Sequence, residues 1–158
     1  MTKKTEGEWY YQQLDLGFNY RMNDIQAALG ISQFKRIDDI VSRRHVLADR
    51  YNNHLKGLSL KLPHQNKDSY SSYHLYIIFL DEPSKHKKIF SNLRTMGIGV
   101  NLHYIPVYRH PYYQNENMNY HDYPISETYY SSAITIPLYS SMSEEDQDMV
   151  IKAIKQLT

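Results

Sequence analysis

The run Tyr73-His74-Leu75-Tyr76-Ile77-Ile78-Phe79-Leu80 constrains this chain more than any other, because it is apolar at odd and even positions alike. Successive side chains of a strand point to opposite faces, so such a run must be central in a sheet, or covered by helix on one side and by a partner surface on the other. The remaining residues have to supply those layers. Leu58 to Leu62 predicts a short strand ended by Pro63, Val100 to Tyr104 a further strand, and Ala133 to Leu138 another.

Helical periodicity fills the gaps between strands. From Asn23 to about Leu55, Ile37, Ile40, Val41, Arg44, Ala48, Tyr51 and Leu55 fall near one stripe, with a break expected at Gly30 and at the polar turn Lys35-Arg36. Gly57 stands where a left-handed cap is wanted. Pro83 and Ser84 open a helix to about Met96 with Ile89, Phe90 and Leu93 inward, and Gly97 and Gly99 close it. Ser126 to Ser132 predicts a short helix. Ser143 and an acidic first turn start a last one whose Val150, Ile151, Ile154 and Leu157 face the core. Residues 105–125 carry Pro106, Pro111 and Pro124 among many tyrosines, a long irregular stretch of the kind that is usually functional. The expected organisation is an arm and loop over residues 1–22, with Lys3 and Lys4 in a solvated leader, followed by one α+β domain over 23–158.

Composition narrows the function classes. A formal net charge of +1 gives no electrostatic case for nucleic acid or an anionic membrane, and no apolar run approaches the length of about 18 residues that a membrane helix needs. With no cysteine there are no disulfides or thiolate metal sites, which is compatible with a cytoplasmic location. The histidines show no metal-ligand spacing, so no metal is expected. Sixteen tyrosines are an excess. They fit an interface or a polar cleft, or equally a core margin where Tyr replaces Phe.

The stretch Gly17-Phe18-Asn19-Tyr20-Arg21-Met22-Asn23-Asp24-Ile25-Gln26-Ala27-Ala28-Leu29-Gly30 crowds polar groups in front of a helix start. Asn23 and Gln26 make a reciprocal capping box. Capping explains neither Asn19 nor Arg21, an amide and a guanidinium able to reach a phosphate or a carboxylate. Asn19 can instead be a turn residue bonded to its own backbone. Arg21 can be an exposed residue, although a cation at a helix N-terminus is mildly unfavourable without an anion beside it.

This stretch, extended back to Trp9-Tyr10-Tyr11-Gln12-Gln13-Leu14-Asp15-Leu16, resembles the second half of the pyridoxal-phosphate (PLP) sugar aminotransferases of the DegT/DnrJ/EryC1/StrS family. The likeness leans to the pseudaminic-acid branch. Gly97-Ile98-Gly99-Val100-Asn101-Leu102-His103-Tyr104-Ile105-Pro106-Val107 with His110-Pro111-Tyr112-Tyr113 adds a second matching stretch, about eighty residues on. Family members are much longer, and their first part holds the Schiff-base lysine. The resemblance therefore implies the small C-terminal domain of a fold-type I aminotransferase: a short, mostly antiparallel sheet with helices packed on one face, the large lysine-bearing domain being absent. No catalytic lysine is assigned here, and the chain alone is expected to be inactive.

By resemblance, Asn19 reaches the phosphate of PLP held by the other subunit. Arg21 would bind the amino donor's carboxylate or a nucleotide-sugar phosphate, and His103, Tyr104, Ile105, Pro106 and Val107 would line the cleft for a UDP-linked 4-keto-6-deoxy sugar. Glutamate is the implied donor, and the missing large domain or a homodimer partner the implied protein contact. By spacing alone, His103 and Tyr104 would face opposite ways along a strand, as a half-buried histidine and a core tyrosine. The reading from another class is a non-catalytic, truncated or split-gene α+β module that dimerises or binds a small ligand.

Overall fold

The structure, a computed structural model, describes residues 7–116 and 119–158, so Lys3 and Lys4 lie outside it. The chain divides into two compact units, residues 1–37 and 38–158, which groups the first helix with the arm and not with the domain.

In the first unit an irregular arm leads to helix α1 (Asp24–Phe34). Asn23 accepts from the Gln26 amide at 2.9 Å and Gln26 Oε1 accepts from the Asn23 amide at 3.1 Å, the expected capping box. The expected division into two helices occurs at the Lys35-Arg36 turn and not at Gly30. A helical glycine costs only about 1 kcal/mol relative to alanine, too little to end a capped helix, and the chain turns instead at Lys35-Arg36. No residue of α1 is buried.

In the second unit, helix α2 (Ile37–Leu55) buries Leu47, Ala48, Tyr51 and Leu55, four residues of the stripe or its neighbours. Gly57 follows at φ +85, the left-handed conformation that lets the chain leave the helix. Strands β1 (Leu60–Lys61), β2 (Tyr76–Leu80) and β3 (Ala133–Ile136) form one antiparallel sheet in the order β1-β2-β3. Leu60 pairs with Leu80, and Tyr76 and Ile78 pair with Ile136 and Ile134. β2 is central, one of the two placements its composition allowed, but it starts three residues later than its apolar run, with Tyr73 at φ 44. The strand expected over Val100 to Tyr104 shrinks to a single bridge, Asn101 to Thr135, since beyond it no strand among the described residues pairs with 102–104.

A 3₁₀ turn (Pro83–Lys85) precedes helix α3 (His86–Thr95), and α4 (Pro124–Ser132) and α5 (Glu144–Leu157) complete the helices. The region between α3 and α4, expected to be irregular, contains 3₁₀ turns at Val107–Arg109, Pro111–Glu116 and Tyr120–Asp122. Tyr76, Ile78 and Leu80 face the core with Leu47, Tyr51, Ile89, Leu93, Val150 and Ile154. Each such side chain contributes about 1.5–3 kcal/mol by leaving water. Phe79 points to the opposite face, where the Tyr129 ring of α4 meets it edge-on at 5.4 Å.

Polar groups inside this core are paired. Fully buried Gln147 donates to the Leu47 carbonyl at 2.7 Å and so ties α5 to α2. The hydroxyl of Tyr51 donates to the Pro137 carbonyl at 2.8 Å, and that of Tyr76 to Asn52 Oδ1 at 2.6 Å. Burial raises both phenol pKa values, so these hydroxyls stay protonated donors. Part of the tyrosine excess is thus core. No helix among the described residues is long and apolar enough to cross a membrane.

Candidate functional site

In the first unit, the loop before α1 turns sharply at Asn19, whose φ of 56 is left-handed. Asparagine is among the few side chains that tolerate this conformation, which accounts for the residue type on backbone grounds. Its side chain is not used up by the turn. Oδ1 accepts from Arg21 Nε at 3.0 Å, leaving the Asn19 amide nitrogen and the terminal nitrogens of Arg21 without partners among the described residues. Phe18 and Tyr20 stack on one another at 5.6 Å across the turn. Asn19, Tyr20, Arg21, Met22 and Gln26 line an open depression. Neighbouring uncommitted N–H groups, one neutral and one cationic, form a donor set suited to an oxyanion such as a phosphate.

The second set of expected residues lies in the second unit. Backbone bonds between Asn101 and Thr135, 3.1 and 2.8 Å long, fasten the chain to β3. His103 then bonds through Nδ1 to Thr135 Oγ1 at 2.9 Å, and its carbonyl accepts from the Tyr129 hydroxyl at 2.7 Å. The His103 ring meets the Tyr104 ring edge-on at 4.6 Å. Because the chain leaves the sheet after Asn101, strand alternation does not govern this pair. His103 is half-buried, Pro106 likewise, while Tyr104, at 72% exposure, Ile105 and Val107 are open to solvent. Tyr104 is not the core residue that strand spacing implied.

Residues that the sequence did not single out hold this segment. Glu127 Oε1 accepts from Tyr108 Oη at 2.8 Å and from Arg109 Nε at 2.8 Å, and Oε2 accepts from Arg109 Nη2. The Arg109 guanidinium, with the Tyr108 hydroxyl, lowers the Glu127 pKa to about 2, and the Glu127 carboxylate in turn raises that of Arg109. Burial raises the pKa of Tyr108. Nothing local announces Glu127 as special. It is one of three acids, with Glu116 and Asp122, in a tyrosine-rich stretch, and nothing in its neighbours sets it apart. Among the described residues no group of histidines and acids is placed to hold a metal ion.

Comparison with known proteins adds the following. Residues 1–155 match the DegT/DnrJ/EryC1/StrS aminotransferase family. The spore coat polysaccharide biosynthesis protein SpsC of Bacillus subtilis is 36% identical over 159 residues, covering 97% of this chain and 41% of SpsC. The UDP-4-amino-4,6-dideoxy-N-acetyl-beta-L-altrosamine transaminase of Campylobacter jejuni is 28% identical, covering 90% of this chain and 38% of that protein. Helicobacter pylori PseC, an aminotransferase involved in the biosynthesis of pseudoaminic acid, superposes with a TM-score of 0.85 at 25% identity, covering 97% of this chain and 42% of PseC. Spr1654 of Streptococcus pneumoniae in its PMP form gives a TM-score of 0.86 at 29% identity, covering 97% and 39%, and it is also solved in a PLP form. The chain thus spans less than half the length of these relatives, and the cofactor expected from the resemblance is found in a solved one. The fold is the α+β fold of part of a fold-type I aminotransferase, and the chain belongs to the DegT/DnrJ/EryC1/StrS aminotransferase family.

Proposed function

We propose that this chain is the C-terminal part of a PLP-dependent nucleotide-sugar aminotransferase, and that it supplies one phosphate contact and one wall of the sugar cleft. The observation that carries the reading is the paired donor set at the loop before α1: an Asn19 amide and an Arg21 guanidinium, bonded to each other yet keeping further N–H groups that have no partner among the described residues. When bound, PLP supplies the electron sink for moving an amino group between donor and acceptor. Asn19 would donate to its phosphate across a dimer interface. Arg21 would take the carboxylate of the donor, glutamate, or a phosphate of the acceptor. His103 would be held in its tautomer by Thr135, and Tyr104 to Val107 would present an exposed aromatic and apolar edge to a UDP-linked 4-keto-6-deoxy hexose.

The likeness to a UDP-sugar transaminase supports the acceptor class, and the stretch from Trp9 to Asp15 supports the pseudaminic-acid branch. The reading places the work in the cytoplasm and its product in a cell-surface polysaccharide or glycan. The bare apolar residues of the arm and α1 fit a surface that a lysine-bearing domain or a second subunit would cover.

The test is to supply a lysine-bearing large domain by co-expression and to follow PLP absorbance and transamination. An associated complex with no PLP band removes the enzymatic reading and leaves a non-catalytic binding module. In an active complex, Asn19→Ala should weaken PLP retention by about tenfold, as expected for a lost hydrogen bond to a charged group. Unchanged retention would remove the phosphate role from Asn19.

A further inference from the structure

The stretch from His103 to Val107 owes little of its course to the sheet, because pairing stops at Asn101. Apart from the bond between the His103 ring and Thr135 of β3, it is held by one helix. From α4, the Tyr129 hydroxyl grips the His103 carbonyl at 2.7 Å. Two positions earlier on the same helix, Glu127 grips Tyr108 and Arg109 together through three hydrogen bonds. The grip at Tyr108 and Arg109 is braced from outside. The Arg109 guanidinium lies 4.9 Å from the Tyr130 ring centre and 5.6 Å from that of Tyr120, and the Tyr108 ring stacks on Tyr123 at 4.5 Å. Between the two anchors, Tyr104, Ile105 and Val107 stand exposed.

We propose that Glu127 is a positioning residue: by fixing Tyr108 and Arg109 it sets the course of Tyr104 to Val107, the edge assigned above to the sugar cleft. The inference rests on that assignment for its functional half only. A carboxylate paired through both oxygens to a planar guanidinium fixes direction as well as distance, which a single hydrogen bond does not. Tyr104 to Val107 is short and contains Pro106, so anchors at each end leave it few alternative paths. Among the described residues, Glu127 makes no hydrogen bond to Tyr104, Ile105, Pro106 or Val107 themselves. Its effect on a ligand at that edge would pass through the segment.

The experiment compares Glu127→Ala, Glu127→Gln and the unaltered protein by two readouts. Hydrogen exchange of this chain, read peptide by peptide, should show amides of residues 104–110 exchanging about tenfold faster in the alanine variant, with α2 and α5 unchanged, as for local opening. In the complex completed with a lysine-bearing domain, KM for the nucleotide keto-sugar should rise by about tenfold or more, because small misplacements of binding groups are costly. The half-reaction with the amino donor should keep its rate. Glu127→Gln, which retains the shape and acceptor oxygen but not the charge, should recover part of both losses. If the alanine variant fails to fold, Tyr108→Phe, which removes one of the three bonds, should show the same two changes on a smaller scale.

Unchanged exchange over 104–110 overturns the proposal, and so does faster exchange with an unmoved KM. A complex that transaminates no nucleotide keto-sugar at all defeats the functional reading instead. Exchange needs no substrate, so it still decides whether Glu127 holds the segment.

Discussion

Helices α1 and α5 begin alike and end up in opposite circumstances. Each has a side-chain cap, Asn23 accepting from the Gln26 amide and Ser143 from the Asp146 amide, and each has acids in its first turn. Yet α5 buries Gln147, Val150, Ile151, Ala153 and Ile154, whereas α1 buries nothing and leaves Ile25, Leu29, Ile31 and Phe34 exposed. Caps and propensity start a helix wherever they occur, but only a complementary surface decides what its apolar residues are worth. The units differ in the same way. Among the described residues, every buried residue and every ion pair lies in 38–158, and 7–37 has neither.

The largest effect should come from truncating one apolar residue in each unit. Leu93 is fully buried among α5, β3 and the rest of the core, so Leu93→Ala should lower the unfolding free energy by about 2–5 kcal/mol. Leu29→Ala, on the bare helix, should change it by less than about 0.5 kcal/mol in the isolated chain. Urea titration of both variants checks this. Equal losses would mean that α1 is packed after all. A Leu29→Ala loss that appears only after a large domain is supplied would identify its missing cover.

Local devices were legible in the sequence, and distant pairings were not. The Asn23–Gln26 capping box, the cap at Ser143, the left-handed Gly57 and the inward face of α5 are each decided within about one helical turn, so residue type alone predicts them. Central β2 was readable because an apolar run on both faces has few other homes. The strand over Val100 to Tyr104 was not, since extended propensity says nothing of whether a partner reaches that far, and here only Thr135 does. For the site, Asn19 and Arg21 stood out as residues the cap did not need. Their mutual bond rests on Asn19 being left-handed, a backbone choice that many residues near a turn could make. Glu127 was invisible because its partners are 18 and 19 positions away, joined through a run of 3₁₀ turns with no periodicity to follow.

The two caps sharpen the comparison at smaller scale. Each N-cap hydrogen bond contributes about 1 kcal/mol to its helix, so Ser143→Ala should lower the global stability by that amount because α5 is part of the core. Asn23→Ala should leave the urea midpoint in place and show only faster amide exchange in the first turn of α1. A shifted midpoint for Asn23→Ala would show that α1 unfolds together with the second unit, and the contrast between the helices would then be one of exposure alone.

The smallest effect should be the acid response of residues 104–110. Glu127 faces Arg109 and Tyr108, with His121 near enough to add positive charge. Its carboxyl is depressed from 4.5 to about 2, so protons bind the released segment more readily than the held one. The stabilisation it gives is therefore fully present above the ordinary carboxylate range and is lost as pH falls from about 4.5 through about 2. The stacked Tyr108 and Tyr123 rings give a local near-ultraviolet dichroism signal for following that loss. In acid the unaltered protein should approach the signal that Glu127→Gln shows at neutral pH, before the core unfolds. Among the described residues, 7–37 contain no ion pair to lose and should not contribute. An acid transition identical in both proteins would mean that Glu127 does not hold the segment by its charge, and that the tyrosine stacking and the Tyr129 bond suffice.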